Sequence, residues 1–204
     1  MSGERACGRA DAQEAAVKNP VVGMDARTEN AVMGGPGGRG KDARTDTAEE
    51  RLVALLAARG MTVTTAESCT GGLIAGTIVN VAGASDVLNE GYVTYSNEAK
   101  QRLVGVDART LEKFGAVSGQ TAREMAEGAA RAAGADVALS ATGIAGPGGG
   151  SEEKPVGLVY VGCFVDGETR VKECRFSGTR RENRESTVAE ALKLAVEMLE
   201  GRGL

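Results

Sequence analysis

From Thr47 onward, apolar and polar positions alternate with two different periods. A capping box, Thr47-Ala-Glu-Glu50, opens a helix with Leu52, Val53, Leu55 and Leu56 on one face, and Gly60 closes it. The β-branched run Thr62, Val63, Thr64, Thr65 predicts a strand. Leu73, Ile74, Thr77, Ile78 and Val81 then recur at helical spacing. Residues 87–95 read as a second strand, with Val93 and Tyr95 on one face and Tyr92 and Thr94 on the other. Two short helices follow, over 98–104 (capped by Ser96 or Asn97) and 108–114. Ser118 begins an alanine-rich helix with Ala122, Met125, Ala126 and Ala129 inward, and Gly134 stops it. Residues 136–141 are apolar enough for a central strand. Segments 157–165 and 168–176 form a hairpin around Asp166-Gly167. The last helix, 180–200, carries the stripe Val188, Ala191, Leu192, Ala195 and Leu199.

Helices that alternate with strands, plus one hairpin, predict an α/β protein: a three-layer α/β/α single domain with a mixed sheet. No internal repeat is visible. The domain spans 47–204. Residues 1–46 show neither period, contain Gly34-Gly35-Pro36-Gly37-Gly38, and are expected to be a disordered N-terminal leader.

Composition narrows the function classes. The net charge of the 204 residues is −4, so no nucleic-acid partner is expected. No apolar run reaches the roughly 18 residues of a membrane span, and the N-terminus has no signal core. A cytoplasmic protein is the expectation. Cys7, Cys69, Cys163 and Cys174 form no CxxC pair, which fits reduced thiols rather than a disulfide framework or a zinc site. Histidine is absent altogether. That removes Ser-His-Asp and Cys-His catalysis and every His-ligated metal site. A base would have to be Lys, Tyr, Asp, Glu or a metal-bound water.

Three polar clusters follow strands or open helices: Ser68-Cys69-Thr70-Gly71-Gly72, Tyr95-Ser96-Asn97-Glu98-Ala99-Lys100, and Ala141-Thr142-Gly143-Ile144-Ala145-Gly146-Pro147-Gly148-Gly149. Ligands of open α/β sheets bind outside the carboxyl ends of strands, so the three could share a crevice. None completes a Walker loop, GxGxxG, GxSxG or SxxK. Ser68 or Thr70 could simply cap the helix. The functional alternative makes Ser68 a nucleophile, with Lys100 and Tyr95 as its base system, provided that burial lowers the lysine pKa. A solvated Lys100 and a half-buried strand Tyr95 are the plain alternatives. Glu67 could orient the base or make an ion pair. Cys69 reads as a packed thiol. Arg180 and Arg184 are four apart and share a face near the start of the last helix.

Together Thr65-Ala-Glu-Ser-Cys-Thr-Gly-Gly72, Tyr95-Ser-Asn-Glu-Ala-Lys100, Ala116-Val-Ser118 and Ala141-Thr-Gly-Ile-Ala-Gly-Pro-Gly-Gly149 resemble the C-terminal domain of the competence/damage-inducible CinA family. The resemblance covers 47–199. Phe176-Ser-Gly178-Thr-Arg180-Arg-Glu-Asn-Arg184 resembles the family's basic motif FxGxRxxxR. The larger N-terminal domain of two-domain members has no counterpart here. Standalone members are nicotinamide-nucleotide amidohydrolases, which convert nicotinamide mononucleotide (NMN) to nicotinate mononucleotide and ammonia. The resemblance implies Ser68 as nucleophile and Lys100 with Tyr95 as base. It also implies substrate contacts from Thr70, Gly71, Gly72, Asn97, Thr142, Gly143, Gly146, Gly148, Arg180 and Arg184. Backbone N–H groups near Thr70 and Gly71 would hold the oxyanion, and Arg180 and Arg184 the phosphate. It implies no metal, no organic cofactor and no membrane, and a homo-oligomer. The alternative is a non-catalytic nucleotide-binding or partner-binding module linked to competence or DNA damage.

Overall fold

The computed structural model describes residues 46–202. Apart from Asp46, the expected leader lies outside the described residues. The first helix, α1 (Ala48–Arg59), starts on the expected capping box and ends at Gly60 in a left-handed conformation. Strand β1 (Val63–Glu67) follows, then helix α2 (Leu73–Val79).

The expected second strand is largely absent. A 3-10 turn occupies Ala84–Asp86, Leu88 makes one isolated bridge to Val63, and only Tyr92–Val93 forms strand β2. The chemistry of the segment explains the loss. Asn89, Glu90 and Gly91 are poor strand formers. The Glu90 carbonyl is taken by the Thr64 hydroxyl at 2.9 Å instead of a ladder amide.

The remaining elements follow expectation closely: α3 (Asn97–Val104), α4 (Ala108–Phe114), α5 (Gly119–Ala133), β3 (Val137–Gly143), β4 (Leu158–Val165), β5 (Glu168–Arg175) and α6 (Arg180–Glu200). The β4–β5 hairpin closes on Asp166 (φ 43) and Gly167 (φ 88). A two-residue turn with both φ positive matches the strand twist, and Asp-Gly supplies it with little strain.

The sheet order is β2-β1-β3-β4-β5. β2, β1 and β3 are parallel, while β4 and β5 are antiparallel additions. Alternation along the strands divides the core in two. Val137, Leu139 and Ala141 face α1, α2 and α6 through Leu52, Leu56, Ile74, Ile78, Leu192 and Met198. Ala66 and Ala138 face α3, α4 and α5 through Val104, Leu111, Met125 and Ala129. The result is the expected three-layer α/β domain with a mixed sheet. No helix among the described residues is long and apolar enough to cross a membrane.

Candidate active site

Three neighbouring parallel strands deliver their carboxyl ends to one edge. Glu67 pairs with Val93 on one side and Ala141 on the other. The chain that leaves each strand therefore lies beside the others, and the Ser68 amide donates to the Ala141 carbonyl at 2.9 Å. Here a crevice of about 210 Å³ is lined by Ser68, Cys69, Tyr95, Lys100, Ala116, Val117, Thr142, Gly143, Ala145 and Arg180. Pockets that enclose a whole drug-sized ligand hold about 300–1,000 Å³. This one suits the reacting end of a ligand, with the remainder outside.

Lys100 is the largest fully buried side chain of the described residues, 1% exposed. Helix α3 starts on the Ser96 cap, and Lys100 reaches back beneath the end of β2. Its Nζ donates to the Ser68 Oγ at 3.1 Å and to the Thr94 carbonyl at 2.8 Å. None of the ion pairs among the described residues includes it. Burial lowers its pKa from the ordinary 10.5, with Cys69 pulling weakly the other way. A lysine without a carboxylate, touching a serine hydroxyl, can become the neutral amine that accepts the serine proton.

Cys69 is buried, and that burial pushes its pKa up to about 11. It stays a thiol near neutrality and is packed, as the sequence suggested. Neither Ser68 nor Thr70 caps α2, whose N-cap is Gly72 without a side-chain cap bond.

Glu67 takes that place, and in neither of the two roles weighed from sequence. Fully buried, it accepts from the amides of Gly72 and Ile74 at 3.0 Å and of Ala75 at 2.9 Å. The amides at the start of α2, which a helix leaves without partners of its own, are thus occupied by a carboxylate. Gly71 (φ 61) and Gly72 (φ 97) turn the chain left-handedly so that it meets Glu67. The amides of Thr70 and Gly71 form no hydrogen bond among the described residues, and the buried Thr70 hydroxyl has no partner.

Tyr95 departs from expectation. It is 62% exposed, and its hydroxyl accepts from Arg180 at 3.2 Å rather than bonding to Lys100 or Ser68. Arg180 also donates to the Gly146 carbonyl at 2.8 Å, so its guanidinium spans the crevice mouth. Arg184 departs further. Its Nε donates to the Cys69 carbonyl at 3.0 Å and a terminal nitrogen to the Thr70 carbonyl at 2.6 Å. It does not line the crevice, so a shared phosphate grip with Arg180 is not what this geometry offers. Arg181 pairs on the surface with Glu185 at 2.8 Å.

Thr142 lines the crevice and anchors the Ala116 carbonyl at 2.7 Å. Thr70, Gly71, Gly72, Gly146, Gly148 and Asn97 are not among the lining residues, and Asn97 sits on the exposed first turn of α3. Two supporting residues escaped the sequence reading. Asn183 is buried, donates to the Ala145 carbonyl at 3.1 Å and accepts from the Gly178 amide at 3.0 Å. Lys154 is half-buried and donates to the carbonyls of Phe114 at 2.7 Å and Val117 at 2.8 Å. The Lys-Pro pair that ends the glycine-rich loop was the only signal for it.

The model of the CinA C-terminal domain family matches residues 45–199. A CinA-like protein of Kosmotoga olearia is 56% identical over 147 residues, covering 72% of this chain and 36% of the relative. The chain spans about a third of the length of the curated relatives it matches. Solved structures align over nearly their full length. The competence/damage inducible protein CihA from Agrobacterium tumefaciens is 46% identical with a TM-score of 0.72, covering 75% of this chain and 93% of that one. A CinA superfamily protein from Klebsiella pneumoniae is 36% identical with a TM-score of 0.73, covering 76% and 96%. This chain belongs to the CinA C-terminal domain family.

Proposed function

We propose that the protein is a serine amidohydrolase that removes the carboxamide nitrogen of NMN as ammonia. The observation that carries this reading is the contact between the Ser68 Oγ and the buried Nζ of Lys100 at 3.1 Å. Ser68 attacks the amide carbon while neutral Lys100 accepts its proton. The lysine returns that proton to the departing ammonia, leaving an ester on Ser68. Water, giving a proton to the same lysine, then attacks the ester; the lysine passes that proton to the departing Ser68 oxygen, and nicotinate mononucleotide is released. The unused amides of Thr70 and Gly71 are the candidate oxyanion donors. One such donor is worth about 3 kcal/mol in the transition state. The pyridine carboxamide enters the crevice, and the ribose phosphate stays near Arg180, which has no carboxylate partner among the ion pairs of the described residues. A binding module would gain nothing from burying an unpaired lysine against a serine, which disfavours that alternative.

The test is ammonia release from NMN by the purified protein. Wild type and Cys69→Ala release it, while Ser68→Ala does not and still unfolds cooperatively. An active Ser68→Ala, or an inactive Cys69→Ala with a normal fold, overturns the assignment. The expected homo-oligomer is part of the same proposal and is read by sedimentation velocity.

A further inference from the structure

The start of α6 reaches both loops that build the crevice. Its own start is fixed by a capping box, in which the Thr179 side chain accepts from the Glu182 amide and the Glu182 side chain accepts from Thr179. One turn of this helix holds Arg180 on Gly146, Asn183 on Ala145, and Arg184 on Cys69 and Thr70.

We infer that Arg184 is a positioning residue for the nucleophile, acting through the turn that carries Ser68. The inference rests on the hydrolase reading above and replaces the phosphate role expected for this arginine. Both of its contacts are to carbonyls of the two residues directly after Ser68. The guanidinium also packs on the turn itself, 3.7 Å from where a Cβ on Gly71 would stand. Glu67 fixes the same turn from the other end through three amides. The segment from Ser68 to Gly72 is thus held by an acid on its donors and a base on its acceptors. A planar fork that bonds two adjacent carbonyls fixes their orientation, and hence where the preceding Oγ points, in a way that one flexible ammonium does not. Displacing a reacting group by about 1 Å can cost about 100-fold in rate.

The experiment uses the full chain as wild type, Arg184→Met and Arg184→Lys. It measures steady-state turnover of NMN and of nicotinamide riboside, which lacks the phosphate. It also measures labelling of Ser68 by a fluorophosphonate, followed by intact mass. In that labelling the serine oxygen bonds phosphorus, fluoride leaves, and the serine proton passes to Lys100. Arg184→Met is expected to lower kcat about 100-fold on both substrates, with KM little changed. Its labelling slows by a similar factor, and its melting temperature stays near that of wild type. Arg184→Lys recovers part of both rates. A rise in KM confined to NMN overturns the inference in favour of a phosphate contact. Wild-type labelling in Arg184→Met overturns it as well. If rates fall only in proportion to lost folded protein, the role is structural and the inference fails. A wild type that neither labels nor releases ammonia sinks the hydrolase reading, and this inference with it. Active wild type with an equally active Arg184→Met sinks the inference alone.

Discussion

Lys100 loses hydration on folding and gains no ion pair, so its charged form is held at a cost. The sign of the resulting pH dependence follows from linkage. Its folded pKa is lowered by burial, so between that value and the ordinary 10.5 the unfolded chain keeps a proton that the folded chain has lost. Stability from this group rises with pH across that window, and below it the full penalty is present. Lys100→Met removes the penalty. Its stability relative to wild type is therefore most favourable below the window and falls as pH climbs through it. Urea denaturation at a series of pH values reads this, and a difference that stays flat up to about pH 10 refutes it. If Lys100 is the base of the proposed hydrolase, the same deprotonation should make wild-type ammonia release rise with pH, and Lys100→Met should lose about 10²–10⁴-fold in rate. Ser68 and Lys100 were legible in the sequence because a chain without histidine leaves few nucleophile–base pairs. The partners of Glu67 and Arg184 were not. Glu67 binds amides on its own turn, but Arg184 meets carbonyls 115 and 114 positions away, and backbone atoms leave no residue-specific pattern to read.

At the scale of elements, the caps were the most legible features. Thr47, Ser96, Ser118, Gly60 and Gly134 act where local chemistry placed them, because a cap depends on neighbours a few positions away. Strand β2 was misjudged because its pairing depends on β1, whose Thr64 hydroxyl draws the Glu90 carbonyl out of the ladder. The glycine-rich loop shows the same dependence on distant partners. Its Lys154 ammonium bonds the Phe114 carbonyl at the end of α4 and the Val117 carbonyl of the α4–α5 connection, whose Ala116 and Val117 line the crevice. Thr142 holds that connection from β3, so the wall is fixed twice. Lys154→Met should loosen one anchor and raise KM for NMN by roughly tenfold, the effect of about 1.4 kcal/mol. Turnover at saturation should change little, because Ser68 and Lys100 are held by other contacts. An unchanged KM, or a fall in kcat alone, counts against this role.

The whole molecule was legible in its layers because two periods ran through the same chain. Strands with both faces covered and helices with one apolar stripe leave little choice but a sheet between helices. The gathering of three strand ends was only a conditional expectation from sequence, since strand order needs the parallel pairing of β2, β1 and β3. The domain that results carries its own boundary signals. Its first helix is capped at Thr47 by a reciprocal pair of hydrogen bonds with Glu50. Leu52, Val53 and Leu56 of that helix pack on α6 and the sheet, with residues of the same domain as partners. The Arg59 guanidinium bonds the Leu199 carbonyl at 2.7 Å, tying α1 to the end of α6. The sequence before Thr47 has no sustained apolar face to bury. A chain of residues 47–204 should therefore fold alone and release ammonia from NMN at the full-length rate. Its melting temperature should move by less than about 2–4 °C, the shift that 1 kcal/mol produces in a chain of this size. A larger drop in calorimetry, or a truncated protein that folds but has lost turnover, would show that the first 46 residues contribute contacts which their composition does not reveal.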